Sequence, residues 1–121
     1  MLETEFGMSH KPPGEVEIEL VAHGDGGFYR PHTDTFTGAT ASTGGNRRLS
    51  LVYYFHRRPR PFSGGRLRLL SLRGAQPLAI EPAHDTLVAF PSFLPHEVEP
   101  VSIPRNDFEN YRFAVNIWFL G

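Results

Sequence analysis

The sequence predicts an all-β core, an antiparallel double-sheet jelly roll, with at most short helical structure ahead of the first strand. Three observations carry that expectation. Period-two alternation recurs in short blocks, turn-forming residues separate nearly all of the blocks, and no stretch shows the 3.6-residue apolar stripe of a helix. Eleven prolines and twelve glycines, set against ten phenylalanines and four tyrosines, suit short strands joined by tight turns. Some eight strand segments in one short chain fit a jelly roll in number and spacing.

The segments follow in order. EVEIELVAH (15–23) alternates acidic and aliphatic residues and ends at the glycine turn GDGG. FYRPHTDTF (28–36) is a second strand-like stretch, and the polar loop TGATASTGGNRR separates it from the apolar run LSLVYYF (49–55). After RRPRPFSGG come RLRLLSL (66–72), a short piece around PLAI, TLVAF (86–90), HEVEPV (96–101) and RFAVNIWFL (112–120). SIPRNDFENY (102–111) reads as a long loop before the last strand. There is no internal repeat, no low-complexity tract and no linker, so residues 1–121 read as a single domain.

Composition narrows the chemistry. With no cysteine, neither a disulfide framework nor a thiolate metal site is available, and any metal must be held by imidazole and carboxylate. The N-terminal residues lack the basic start and apolar run of a signal peptide, and no apolar stretch approaches membrane-spanning length, so a cytoplasmic protein without membrane contacts is expected. The net charge of −1 conceals segregation: residues 41–80 hold eight arginines and no acid, whereas the flanking thirds are acidic. The middle third either offers a basic rim to an acidic peptide or consists of solvated edges balanced by the other two thirds. No nucleic-acid partner is expected, because the whole-domain charge is far from a basic footprint.

Alternate residues of a strand face the same side, so His32 and Asp34 can point together at one atom while Thr33 turns away. A third ligand would have to come from another segment, and His96, opening a strand after the proline-bracketed turn FPSFLP, is the best placed of the remaining histidines. Two imidazoles and one carboxylate on one face of an octahedron is the arrangement of non-haem Fe(II) oxygenases. By spacing alone, a surface strand with incidental polar residues explains the HxD pair as well. On the last strand, Arg112, Ala114, Asn116 and Trp118 share one face, and Phe113, Val115, Ile117 and Phe119 share the other. An arginine on the inner wall of a jelly roll is costly unless paired, and an anionic ligand gripped by its two parallel N–H groups would resolve that cost.

The order of GDGGFYRPHTD (24–34), LVYYF (51–55), SGGRLRLL (63–70), IEP with DTLVAFPSFLPHEVEPV (80–101) and RFAVNIWF (112–119) resembles the prolyl 4-hydroxylase type of 2-oxoglutarate and Fe(II)-dependent oxygenases, over residues 16–121. The resemblance implies a double-stranded β-helix catalytic domain and a dioxygenase that hydroxylates an unactivated carbon, with succinate and CO2 as coproducts. It implies Fe(II) held by His32, Asp34 and His96, 2-oxoglutarate as cosubstrate with O2, and ascorbate as a reductant. Arg112 would bind the far carboxylate of the cosubstrate with Tyr54, which shares the inward face of its strand with Val52. Asn116, Trp118, Tyr29 and Phe36 would line the pocket, and Ser63, Gly64 and Gly65 match the family's glycine pair, which a tight turn explains equally well.

Three departures from the family pattern stand out. His23 replaces a tyrosine common before the glycine turn, the segment between His96 and Arg112 is longer than in the oxygen-sensing enzymes, and only about fifteen residues precede the first strand. The apolar face of Phe113, Val115, Ile117 and Phe119 then needs a cover, which gives the expectation of a homodimer or of a catalytic part of something longer. The expected substrate is a prolyl residue in a peptide, under a lid formed by residues 35–48. A free amino acid or other small molecule, and a metal-binding jelly roll that recognises a partner without turnover, are the alternatives.

Overall fold

The computed structural model of the chain describes residues 15–35, 46–70 and 76–121, and in it ten strands form three antiparallel sheets. β1 (Val16–His23), β3 (Arg47–Phe55), β7 (Thr86–Pro91) and β10 (Arg112–Leu120) make the larger sheet, in the order β1-β10-β3-β7. β2 (Tyr29–His32), β5 (Leu67–Leu69), β6 (Leu78–Ile80) and β8 (His96–Val98) make the smaller one, in the order β2-β8-β5-β6. The two-residue strands β4 (Ser63–Gly64) and β9 (Val101–Ser102) pair at the far end. Apart from the β5–β6 pair, neighbours in each sheet come from distant parts of the chain, which is the jelly-roll pattern expected from the sequence.

Alternation places the side chains. In β1, β10 and β3 one residue set faces the smaller sheet: Val21, Ala114 and Tyr54 lie in cross-strand register, Val52 stands opposite Asn116, and Val52, Tyr54 and Ala114 are buried. Leu67 of β5 and Phe90 of β7 complete that core, with Leu69, Ile80, Val88, Leu94 and Val98 packed on it. A second cluster, Phe62, Val101 and Ile103 with Tyr111 against it, closes the end of the roll. The opposite set, Ile18, Leu20, Val115, Ile117, Leu51, Tyr53 and their neighbours, forms the outer face of the larger sheet.

Two segments differ from the sequence expectation. HEVEPV is two strands rather than one, because the chain turns at Glu99–Pro100 to leave β8 for the small pairing with β4. At β4, Gly64 and Gly65 have φ of 72° and 70°, and a Cβ on Gly64 would stand 2.3 Å from the Pro100 carbonyl oxygen. No other residue suits that close approach. The loop 102–111 carries a 3-10 turn at Phe108–Asn110 and is tied to the glycine turn by Ile103 N–H donating to Asp25 Oδ1 and Asp25 N–H donating to Asn106 Oδ1. The ends of the long segment are thereby brought back to β10. The region ahead of the first strand, the expected lid with Phe36, and the end of RLRLLSL lie largely outside the described residues.

The arginine-rich third is answered by the flanking acidic thirds. Arg47 pairs with Glu17, Arg60 with Glu81, Arg66 with Glu99 and Arg68 with Glu97, at N–O distances of 2.7 to 3.1 Å. Arg68 and Glu97 are direct cross-strand partners on β5 and β8. Charge segregation along the chain is thus local neutrality in the fold, which weakens the case for a basic rim.

Candidate metal and dicarboxylate site

His32 closes β2 and His96 opens β8, and the two are cross-strand partners whose rings lie 4.2 Å apart at their centroids. Asp34 follows β2 in a bend fixed by its own N–H donating to the Ser92 carbonyl. One ligand atom from each of the three lies within 4.8 Å of the others. Asp34 Oδ1 stands 3.3 Å from His96 Nε2 and 3.6 Å from His32 Nε2, close to the separation of about 3 Å for cis ligands at about 2.1 Å from one ion.

What surrounds these atoms fixes their chemistry. His32 Nδ1 lies 2.7 Å from the Arg30 carbonyl and His96 Nδ1 lies 3.0 Å from the Leu94 carbonyl, each two residues back along its own chain. A carbonyl can only accept, so each ring carries a proton on Nδ1 and turns Nε2 to the shared point, where His96 Nε2 faces Asp34 with a proton in the metal-free chain and would give a metal its lone pair instead. Asp34 divides its oxygens in the same way: Oδ2 accepts from Ser50 Oγ at 2.6 Å and from Trp118 Nε1 at 3.0 Å, and Oδ1 is left toward the imidazoles. Burial, the largest influence on this carboxyl, raises its pKa, but the hydrogen bonds from His96, Ser50 and Trp118 outweigh it and hold the group at about 2. Asp34 is therefore an anion across the physiological range. The donor set, its tautomers and its second row of hydrogen bonds fit a divalent ion of the iron type.

The same cavity, about 260 Å³, extends to Arg112 and Tyr54. Arg112 is 2% exposed; its Nε donates to the Gly65 carbonyl at 2.8 Å and its Nη1 to His23 Nδ1 at 3.1 Å. No carboxylate among the described residues lies within salt-bridge distance of it. Its guanidinium carbon sits 5.0 Å from the centre of the Tyr54 ring. Tyr54 is fully buried, and its hydroxyl is the one buried side-chain polar atom among the described residues without a hydrogen-bond partner. Burial raises the Tyr54 pKa, with Arg112 opposing it, so the hydroxyl stays protonated and can donate. A buried guanidinium with no carboxylate in reach, beside a hydroxyl donor without an acceptor, has the chemistry to hold an anion.

The remaining sequence-based candidates fall around this cavity. Tyr29 is about half exposed at the rim and lies against the His32 ring, 4.5 Å between centroids. Asn116 lines the wall, and Trp118 reaches the metal site through Asp34. Gly65 matters because its carbonyl takes Arg112 and because a Cβ there would meet Arg112 Cδ at 2.8 Å. Sequence reasoning missed Ser50, Ser92 and Arg47. Ser50 shares the parity of Val52 and Tyr54, so alternation pointed to it; its Oγ also lies 2.8 Å from the Oγ of Ser92, in the proline-bracketed turn, where no alternation tells which way a side chain faces. Arg47 has the parity of the outer face, yet its guanidinium lies 3.7 Å over the Trp118 ring. A register shift opposite Phe119 and Leu120 leaves one extra residue in β3 and turns Arg47 inward.

The model of the 2OG-Fe(II) oxygenase superfamily matches residues 18–120. The chain belongs to that superfamily. Among relatives of this oxygenase, an uncharacterized PKHD-type hydroxylase of Synechocystis is 38% identical over 112 residues, which cover 86% of this chain and 36% of the relative. A solved prolyl-4-hydroxylase of Pseudomonas putida is 29% identical with a TM-score of 0.65, covering 88% of this chain and 51% of the other. A prolyl hydroxylase of Trichoplax adhaerens, solved with a hypoxia inducible factor peptide fragment, shares the fold at 24% identity and a TM-score of 0.62, over 86% of this chain and 43% of the other. The oxygenase chain thus spans about a third to a half of the length of these relatives. Among the described residues no helix is long and apolar enough to cross a membrane.

Proposed function

We propose that the domain, residues 1–121, is a 2-oxoglutarate-dependent iron dioxygenase that hydroxylates an unactivated carbon of a prolyl residue in a polypeptide, giving succinate and CO2 as coproducts. The observation that carries the reading is Arg112: a buried guanidinium with no carboxylate among the described residues within salt-bridge distance, beside the unsatisfied Tyr54 hydroxyl, in the same cavity as two imidazoles and a carboxylate. A metal-binding module without turnover has no use for a dicarboxylate grip next to its metal.

In this reading His32 Nε2, His96 Nε2 and Asp34 Oδ1 hold the iron, and the carbonyls of Arg30 and Leu94 keep both rings in the ligating tautomer. Ser50 and Trp118 hold the second Asp34 oxygen, so the carboxylate binds through one oxygen and leaves coordination positions open. Arg112 and Tyr54 grip the far carboxylate of 2-oxoglutarate and thereby orient its other end toward the ligands. Iron with 2-oxoglutarate and O2 supplies the oxidising chemistry, with ascorbate as an external reductant. Val52, Phe90 and Ala114 line a dry wall that keeps water from the reacting centre. The prolyl preference rests on the kinship with a prolyl-4-hydroxylase and on Tyr29, about half exposed at the rim of the cavity, against which a pyrrolidine ring would pack.

The outer face of the larger sheet supports a partner as well. Its four strands span roughly 500 Å² at the usual strand spacing and rise, and Leu20, Leu49, Leu87 and Phe119 on it are 38 to 56% exposed. Two copies meeting there would form a homodimer at the lower edge of specific interface size.

An anaerobic titration with Fe(II) and then 2-oxoglutarate tests the reaction. A visible charge-transfer band that forms in the wild type and is lost in His32→Ala is expected, and its absence at saturating cosubstrate would exclude the oxygenase. Succinate release with prolyl peptides but not with free proline is expected; release with free proline alone would move the substrate to small molecules.

A further inference from the structure

We propose that His23 is a positioning residue of the dicarboxylate pocket: as a neutral hydrogen-bond acceptor it aims the Arg112 guanidinium into the cavity without cancelling its charge. The inference rests on the reading that Arg112 and Tyr54 take the far carboxylate of 2-oxoglutarate, and it concerns how the arginine is made ready.

The register brings the two residues together. His23 is the last residue of β1 and the cross-strand partner of Arg112, the first of β10, so both side chains rise from the inner face at the same level. Arg112 Nη1 lies 3.1 Å from His23 Nδ1. A guanidinium can only donate, so Nδ1 is unprotonated and the ring carries its hydrogen on Nε2. The ring is itself held in place: Tyr29 meets it edge to face, and a Cβ on Gly27 would come within 3.2 Å of its Cβ and Cδ2. The glycine turn therefore packs against the imidazole, and the imidazole against the arginine.

Charge explains the choice of residue. Arg47, Arg60, Arg66 and Arg68, all more exposed, are paired with carboxylates. Arg112, the most buried arginine among the described residues, is held by one carbonyl and one neutral ring. An aspartate at position 23 would bind the guanidinium more strongly and would also neutralise it, leaving little attraction for an incoming anion. A protonated histidine would repel it. Burial, and after it the positive charge of Arg112, lowers the His23 pKa to about 4, so the ring is neutral at neutral pH.

The test uses the Mn(II)-loaded protein, which binds cosubstrate without turnover, and measures 2-oxoglutarate affinity by calorimetry beside Mn(II) affinity and melting temperature. Asparagine offers an acceptor near the position of Nδ1, so His23→Asn should bind 2-oxoglutarate within ~3-fold of wild type, His23→Leu ~10-fold more weakly, and His23→Asp at least ~30-fold more weakly although it melts no lower. A purely structural role predicts instead that affinity follows melting temperature across the three. Unchanged affinity in His23→Leu and His23→Asp, or a loss shared equally with Mn(II), would overturn the proposal. Mn(II) binding in the wild type without any 2-oxoglutarate binding would remove the cosubstrate reading itself, a different outcome from a variant-specific loss. A long-range proton–nitrogen spectrum of the imidazoles at neutral pH is independent of cosubstrate: Nδ1 of His23 should be unprotonated, and a proton found there would overturn the proposal alone.

Discussion

The larger sheet presents two surfaces that differ more than the two ends of the molecule do. Toward the smaller sheet it offers His23, Arg112, Asn116, Trp118, Ser50 and Tyr54, every one of which lines the catalytic cavity. Away from it, the same strands offer Ile18, Leu20, Phe113, Val115, Ile117, Phe119, Leu49, Leu51, Tyr53 and Phe55, apolar apart from the Tyr53 hydroxyl. The usual arrangement, apolar within and polar without, is reversed over much of this sheet. The polar face is inside because it is the site, where each group has a designated ligand or partner. The apolar face outside is the surface on which the proposed homodimer would form. Polarity alone therefore does not tell the inside of this sheet from the outside; pairing does.

The comparison breaks most severely at Asp34. Asp34→Ala removes a ligand and strands the donors Ser50 and Trp118, and a fall in metal affinity of about 100-fold or more is expected in a Mn(II) titration. Arg112→Leu tests whether an inner-face charge serves function alone. Cosubstrate affinity should fall roughly 100-fold, about 3 kcal/mol for a charge-assisted pair of hydrogen bonds, while the melting temperature holds or rises because a buried unpaired cation is gone. On the other face, Phe119→Ser should weaken self-association roughly 30-fold in sedimentation, from about 1 kcal/mol for each half-buried ring in a pair, without change in turnover per protomer. A wild-type chain that stays monomeric at high concentration would show that another cover serves that face.

The smallest expected effect is in pH. The folded-state pKa of His23 is depressed to about 4, below its usual 6.5, so between those values the unfolded chain binds the extra proton. Stability should fall as the pH drops from 6.5 to 4, level off below that, and be regained above 6.5. With allowance for the ring's partial exposure the effect is about 1–2 kcal/mol. Denaturant titrations of wild type and His23→Asn across that window should show a shallower slope in the variant.

How much was legible follows from what alternation can see. In β1, β3 and β10 the faces could be assigned residue by residue, so Tyr54, Arg112 and Trp118 could be placed inward before any pairing was known. The spacing of His32 and Asp34 suggested a metal pair without deciding for it, and Asp34 reaches the site from a bend after β2 rather than from the strand itself. His96 needed the knowledge that its strand pairs with β2, and here the family pattern supplied what spacing did not. Arg47 was hidden by one extra residue that inverts parity, and β4 was hidden because two residues carry no period. The roles of the middle arginines were illegible because Arg68 finds Glu97 across a pairing of strands nearly thirty residues apart, a property of topology rather than of local sequence.

Trp118 is the only tryptophan in the chain. Its indole N–H donates to Asp34, a candidate metal ligand, and its ring lies beneath the guanidinium of Arg47, at the start of β3. The intrinsic indole emission of this protein consequently arises from a single point in direct contact with the metal site. The molecule carries its own optical probe of the candidate site, which would respond through Asp34 to a bound ion and through Arg47 to whatever crosses the mouth of the cavity.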